Sequence, residues 1–267
     1  MTALTFRLEL RRSRMLALWM ALVVLAYGGV IAAMYPILKE NSQLLDDYMK
    51  ILPKELLAAF GMSGTLTDPG VFFSTYIGSF LWPVIAAVAA IVLATRPVAA
   101  DVERGWADII LGTPLTRTRS LAAAIVSQAL VLAALALAAP AGVLLGGAIV
   151  GAGFDAVPFL AASVVFWLFA CAIAGVTSFV AALTLSRGVA AGVAAGVLLV
   201  MYLMNIVAEL QVDLAWLGDL GWPRYMIVTE LVDSGAVPWA SVAAFAVVAL
   251  GGWAASLVVF KRRDLLA

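Results

Sequence analysis

Six stretches of this chain are each long and apolar enough to cross a lipid bilayer, and no other feature restricts the fold as tightly. They cover about 15–36, 70–95, 120–149, 158–185, 189–208 and 238–260 of the 267 residues. A hydrocarbon core of roughly 30 Å needs about 20 apolar helical residues to span it. The hydrophobic content of 65% and mean hydropathy of +1.09 agree, because a soluble domain is nearer half apolar. The expected fold is an all-α integral membrane protein with six transmembrane helices, one membrane domain over residues 1–267. Asp68-Pro69 supplies an N-cap and a first-turn proline for the second span, and Arg96-Pro97 is expected to end it. Pro83 and Pro140 lie inside spans, where they are expected to kink the helix.

Lys and Arg orient the spans. With a cytoplasmic N-terminus, the inner side carries twelve: Arg7, Arg11, Arg12, Arg14, Arg96, Arg104, Arg117, Arg119, Arg187, Lys261, Arg262 and Arg263. The outer side holds four, Lys39, Lys50, Lys54 and Arg224. That asymmetry follows the positive-inside rule, and an even number of spans returns the C-terminus to the cytoplasm. The first apolar stretch is too long for the core of a secretory signal.

Chemistry within the chain is sparsely provided for. His is absent and Cys171 is the single cysteine, set in the apolar run "VVFWLFACAIAGV". Metal ligation, thiol chemistry and an internal disulfide are therefore not expected, and Cys171 reads as a small core residue. The formal net charge is zero, which gives no field for nucleic acid. No catalytic residue is assigned.

Between the spans, "MTALTFRLELRRSR" sets Leu4, Leu8 and Phe6 beside a basic face, as in a short helix lying on the inner membrane surface. Outside, Leu44, Leu45, Tyr48, Met49 and Leu52 form a helical stripe, and Pro53 opens a second short helix that Gly61 stops. A similar unit runs from Pro223 through "RYMIVTELVD" to Gly235. Both are expected to be interfacial helices on the outer face. Acidic residues gather on that side, among them Asp213, Asp219, Glu230 and Asp233, as solvated loop carboxylates.

One charged segment interrupts this apolar chain. "DVERGWADIILGTPLTRTR", Asp101 to Arg119, holds six charges in nineteen residues and forms the main cytoplasmic connection, between spans two and three. Val102, Trp106, Ile109 and Ile110 recur at helical spacing, opposite Asp101, Glu103, Arg104 and Asp108; Thr113-Pro114 breaks the helix. Composition is equally compatible with two roles for Trp106, an interfacial anchor or an aromatic plug in a partner protein.

The segment resembles the "E-x-G-(x)n-L-L-x-T-P-x-[S/T]-R" signature of ABC-2 type transporter permeases, with Glu103, Gly105, Ile110, Leu111, Thr113, Pro114, Thr116 and Arg117 matching in order. Trp106-Ala107 and Ala124 depart from the family pattern. The basic N-terminal helix, the six spans and the "F-x-R-R-D" tail from Phe260 to Asp264 resemble the same family. The resemblance implies a membrane subunit of a type V ABC exporter that works as a pair, as a homodimer or with a related permease. Each copy would be bound by a separate ATPase subunit that holds ATP and Mg, with the loop between spans two and three as a coupling helix. On that reading Glu103, Gly105, Trp106 and Asp108 contact the ATPase, with Thr113, Pro114, Arg117 and Arg119 completing the coupling segment. The chain itself has no G-x-x-x-x-G-K-[ST] phosphate loop. The likeness also implies a prokaryotic cytoplasmic membrane.

Polar and aromatic groups inside spans mark candidate pathway positions: Thr75, Tyr76, Phe80, Trp82, Ser127, Gln128, Tyr202 and Asn205. Helix–helix hydrogen bonds and an aromatic belt account for the same residues equally well. Without a charge facing into a span, a lipid-like, drug-like or otherwise amphiphilic cargo fits better than an ion. Gly188, Gly192 and Gly196 form a small-residue stripe on the fifth span, suited to a dimer seam or to packing within one copy. The alternatives are ATPase-coupled ion extrusion, a signalling permease, a self-contained channel or secondary transporter, and an intramembrane lipid enzyme. The last two want intramembrane ionisable groups, inverted repeats or a catalytic cluster, none of which the sequence displays.

Overall fold

The computed structural model describes residues 2–43, 47, 51, 67–100 and 116–262. Regular structure among these residues is helical throughout, and six helical stretches are long and apolar enough to cross a membrane. Helix α1 (Thr2–Glu40) is the first span. The second is composite: α2 (Pro69–Phe73), a π-helical segment Ser74–Leu81, α3 (Trp82–Thr95) and a second π segment Arg96–Ala100. Helices α4 (Arg117–Val150), α5 (Ala156–Thr184) and α6 (Arg187–Leu210) are the next three spans. A 3-10 segment Val212–Leu220, α7 (Trp222–Tyr225) and α8 (Thr229–Ser234) form a cap, and α9 (Trp239–Arg262) is the sixth span.

Three sequence expectations need correction. The basic N-terminal stretch is no separate surface helix but the opening turns of α1. No proline interrupts residues 2–35 and no glycine residues 2–27, and Ser13 Oγ donates to Glu9 O at 2.9 Å within the continuous helix. Arg96-Pro97 does not end span two; the wider π turn there accommodates a proline without its N–H, and the helix runs on to Ala100. The unit after Pro223 is two helices rather than one. The break between Tyr225 and Thr229 sinks Met226 and Val228 into the core.

Span four is the hub. Asp155 caps α5, its Oδ1 accepting the Val157 N–H at 3.1 Å, and the helix packs against α3, α4, α6 and α9. Glycines set the two closest crossings. Where α1 meets α4, a Cβ on Gly146 would lie 2.7 Å from Gly29 Cα, and one on Gly142 would lie 2.8 Å from Leu25 Cα. Where α5 meets α9, a Cβ on Gly252 would lie 2.6 Å from Gly175 O. Bare backbones therefore touch at both places, which maximises dispersion contact where no hydrophobic force separates helix from lipid. The first span pairs with the third, and the fourth with the sixth, by the same device.

The cap ties these layers together. Asp68 occupies the N-cap position of α2 but makes no side-chain cap bond. Asp233 of α8 takes that role, accepting the Gly70 N–H at 2.7 Å, and a Cβ on Gly70 would strike its carboxylate. Tyr35 of α1 donates to Thr67 O at 2.5 Å and meets Phe72 edge-on. Replacing Asp233 with Ala removes a charged cap and is expected to cost about 1–2 kcal/mol, whereas Asp68→Ala costs less. Thermal unfolding of the two variants in detergent, compared side by side, checks the order.

Candidate functional site

Glu103, Gly105, Trp106, Asp108, Thr113 and Pro114 lie outside the described residues, so the structure bears on the segment between spans two and three through its two ends. The entry is the π segment after α3, and the exit is the N-terminus of α4. Thr116 stands at the N-cap, and the Arg119 and Ser120 N–H groups donate to its carbonyl at 3.0 and 3.1 Å. Arg117 is the first residue of α4, and Arg119, two residues on, is exposed. Both ends enter one small hydrophobic cluster. Val98 and Ala99 from the entry pack with Leu121 and Ile125 from the exit, and with Ala181, Ala182, Ala190 and Phe260. Five spans, the second to the sixth, thus meet at this side of the bundle. Packed interiors transmit strain instead of absorbing it, and both ends of the segment are seated in one such cluster.

The candidate pathway residues have separate local surroundings. Thr75 is buried in the first π segment, which also holds Phe80, and Ser79 Oγ donates to Ser74 O at 3.0 Å there. Tyr76 rests on Phe72 with ring centroids 5.1 Å apart, and its carbonyl accepts from Tyr27 Oη at 3.5 Å. Trp82 is fully buried: its Nε1 donates to Phe166 O at 3.2 Å and its ring stacks on Phe166. Phe166 in turn stacks on Phe73, so span two is keyed to the hub by aromatic faces. Ser127 and Gln128 are both buried; Gln128 Nε2 donates to Leu93 O at 3.1 Å, and its Oε1 has no hydrogen-bond partner. Tyr202 stacks on Trp222 beneath the cap, and Asn205 lies beside Gly218 of the 3-10 segment. Among the described residues, no three His, Cys, Asp or Glu side chains gather as a metal site would require.

Gly188, Gly192 and Gly196 face open space, and a Cβ on any of them would meet nothing within 4 Å. The glycines that do seat helices within the chain are Gly28, Gly29, Gly142, Gly146, Gly175 and Gly252. The Gly142–Gly146 pair carries a four-residue spacing that was visible in "GVLLG", whereas the isolated Gly175 gives no such signal. Asp233 as the cap of span two has no sequence signal either, since 163 residues separate it from Gly70.

Six spans packed around the fourth define a helical membrane protein, in which both ends of the charged segment between the second and third spans enter one cluster at one side of the bundle. The family model for ABC-2 family transporter proteins matches residues 6–265. The chain belongs to that family, and so is the integral-membrane permease component of an ABC transporter, with an ABC ATPase subunit as its partner. Among curated proteins, nothing matches the chain.

Proposed function

We propose that this permease is the pathway-forming half of an exporter for an amphiphilic, lipid-like or drug-like cargo, driven through residues 101–112. The observation that carries the reading is the shared anchoring of Val98/Ala99 and Leu121/Ile125 on either side of the matching motif. In this reading the ATPase holds Glu103, Gly105, Trp106 and Asp108 through its nucleotide cycle, and Thr113, Pro114, Arg117 and Arg119 form the return to the membrane. ATP can drive the motion only by binding one conformation more tightly than the other. The chain itself hydrolyses nothing; ATP and Mg sit in the ATPase subunit.

The whole chain acts as one membrane domain, with both termini in the cytoplasm of a prokaryotic cell, which the distribution of Lys and Arg favours. Two copies enclose the cargo between them, and the open face of Gly188, Gly192 and Gly196 supports a seam on span five. Thr75, Tyr76, Phe80, Trp82, Ser127, Gln128, Tyr202 and Asn205 remain the candidates for contact with cargo as the spans tilt. The direct test is affinity purification of the detergent-extracted chain after co-expression with its ATPase. A stable complex with two copies of each subunit is expected, and an isolated permease under mild extraction would overturn the assignment.

A further inference from the structure

Spans five and six both lean on span four without packing extensively against each other, and a slot of about 180 Å³ lies between them. Its inner wall is α5, where Phe169 and Ile173 are buried. At the rim, Val197 of α6 and Val248 of α9 stay 41% and 44% exposed, so the slot opens sideways, in the direction of lipid. Trp222 and Tyr225 roof it. Their polar atoms are already engaged, Trp222 Nε1 with Leu198 O and Tyr225 Oη with Asp219 O, both at 3.0 Å. What the roof presents downward is ring surface, with Leu220 and Gly221 beside it.

The geometry points to an acyl chain of a membrane phospholipid as the occupant, inserted from the leaflet on the cap side. Depth is the first reason. Trp216 of the cap and Trp239 at the start of α9 are largely exposed, as aromatic residues at the headgroup level are. The slot descends directly beneath, over Phe169 to Val176 on α5, which is roughly 10 Å of helix and belongs to the hydrocarbon zone. Size and lining are the second reason. An apolar cavity of ~150 Å³ stays dry and takes up a small hydrocarbon, and this one is of that order, with no free polar atom on its roof. The third reason separates lipid from a second copy of the chain. Ala194, Val197 and Met201 face the slot, while Gly192 and Gly196 stand two positions from Ala194, roughly 200° around the helix. The face of α6 suited to close helix contact therefore points away. The slot is left to something thin and flexible.

Photolabelling tests this with the full chain in liposomes of phosphatidylcholine bearing a diazirine on one acyl chain. No ATPase or nucleotide is needed, so the outcome is independent of the proposed coupling. Adducts are expected on Phe169 or Ile173, which ordinary lipid contact at the bundle surface does not reach, as well as on exposed Leu199. Ala194→Phe fills the slot and should lower the inner-wall adducts by roughly fivefold or more, with Leu199 labelling unchanged as proof of correct insertion. Val197→Phe, at the rim and less demanding for folding, should act in the same direction. Inner-wall labelling absent beside a labelled Leu199, or undiminished by both fillings, overturns the proposal. So does efficient disulfide formation between copies carrying Val197→Cys, which would make the slot a protein interface.

Discussion

Replacing Glu103 and Trp106 with Ala together is expected to reduce ATP-driven export in proteoliposomes by on the order of a hundredfold, with insertion and thermal stability of the permease unchanged. An aromatic anchor and a charged neighbour seated in a partner's groove are the residue types that dominate interfaces, at about 2 kcal/mol or more each when truncated. Losing both contacts amounts to tenfold or more in docking even if they overlap strongly, and the power stroke passes only through a docked segment. Basal ATP hydrolysis should persist, because the nucleotide sites lie in the other subunit. The separation of hydrolysis from transport is the diagnostic. Undiminished export by the double variant would remove residues 101–112 from the coupling role.

A second large effect is expected at the α1–α4 crossing. Converting both Gly142 and Gly146 to Ala places methyl groups against backbone atoms of Leu25 and Gly29, which cannot rotate away as a side chain could. Overpacking costs typically 1–3 kcal/mol per site, so the pair should lower the melting temperature by about 5 °C or more. Leu at either position should prevent recovery of monodisperse protein. Gly192→Leu is the contrast, since nothing lies within 4 Å of its Cβ position. It should leave the single chain as stable as wild type while weakening the pairing of two copies, read by size-exclusion chromatography with light scattering. Equal damage at Gly192 and Gly146 would contradict the packing described.

The motif and the packing behind these two expectations differ in how far the sequence reveals them. Span number and type were legible because hydropathy is a local property that survives any tertiary arrangement. The motif from Glu103 to Arg117 was legible because its order and its place between two spans coincide. Helix partners were not. The stripe at Gly188, Gly192 and Gly196 is the most regular in the chain, yet it faces away from the bundle, while the crossings fall to the shorter Gly142–Gly146 pair and to the unpatterned Gly28-Gly29 and Gly175. Spacing tells which residues share a face but not what that face meets. The cap of span two failed for a related reason: Asp68 is adjacent in sequence, but Asp233 arrives by folding. Likewise Pro97 looked like a terminator because an α-helix cannot absorb it, and the π turn supplies the slack that a propensity argument leaves out.

The unbroken first helix has a mechanical consequence. Thirty-nine residues make a rod about 58 Å long, nearly twice the ~30 Å thickness of the hydrocarbon slab. Even at a steep tilt, some turns must project beyond the lipid tails, and the N-terminal ones carry Arg7, Arg11, Arg12 and Arg14. Its residues 25–29 are clasped backbone to backbone against α4, so the first and third crossings tilt as one body. The arginine-bearing end stands roughly 20–30 Å of rigid helix away from that clasp, and any tilt of the pair is carried out to it.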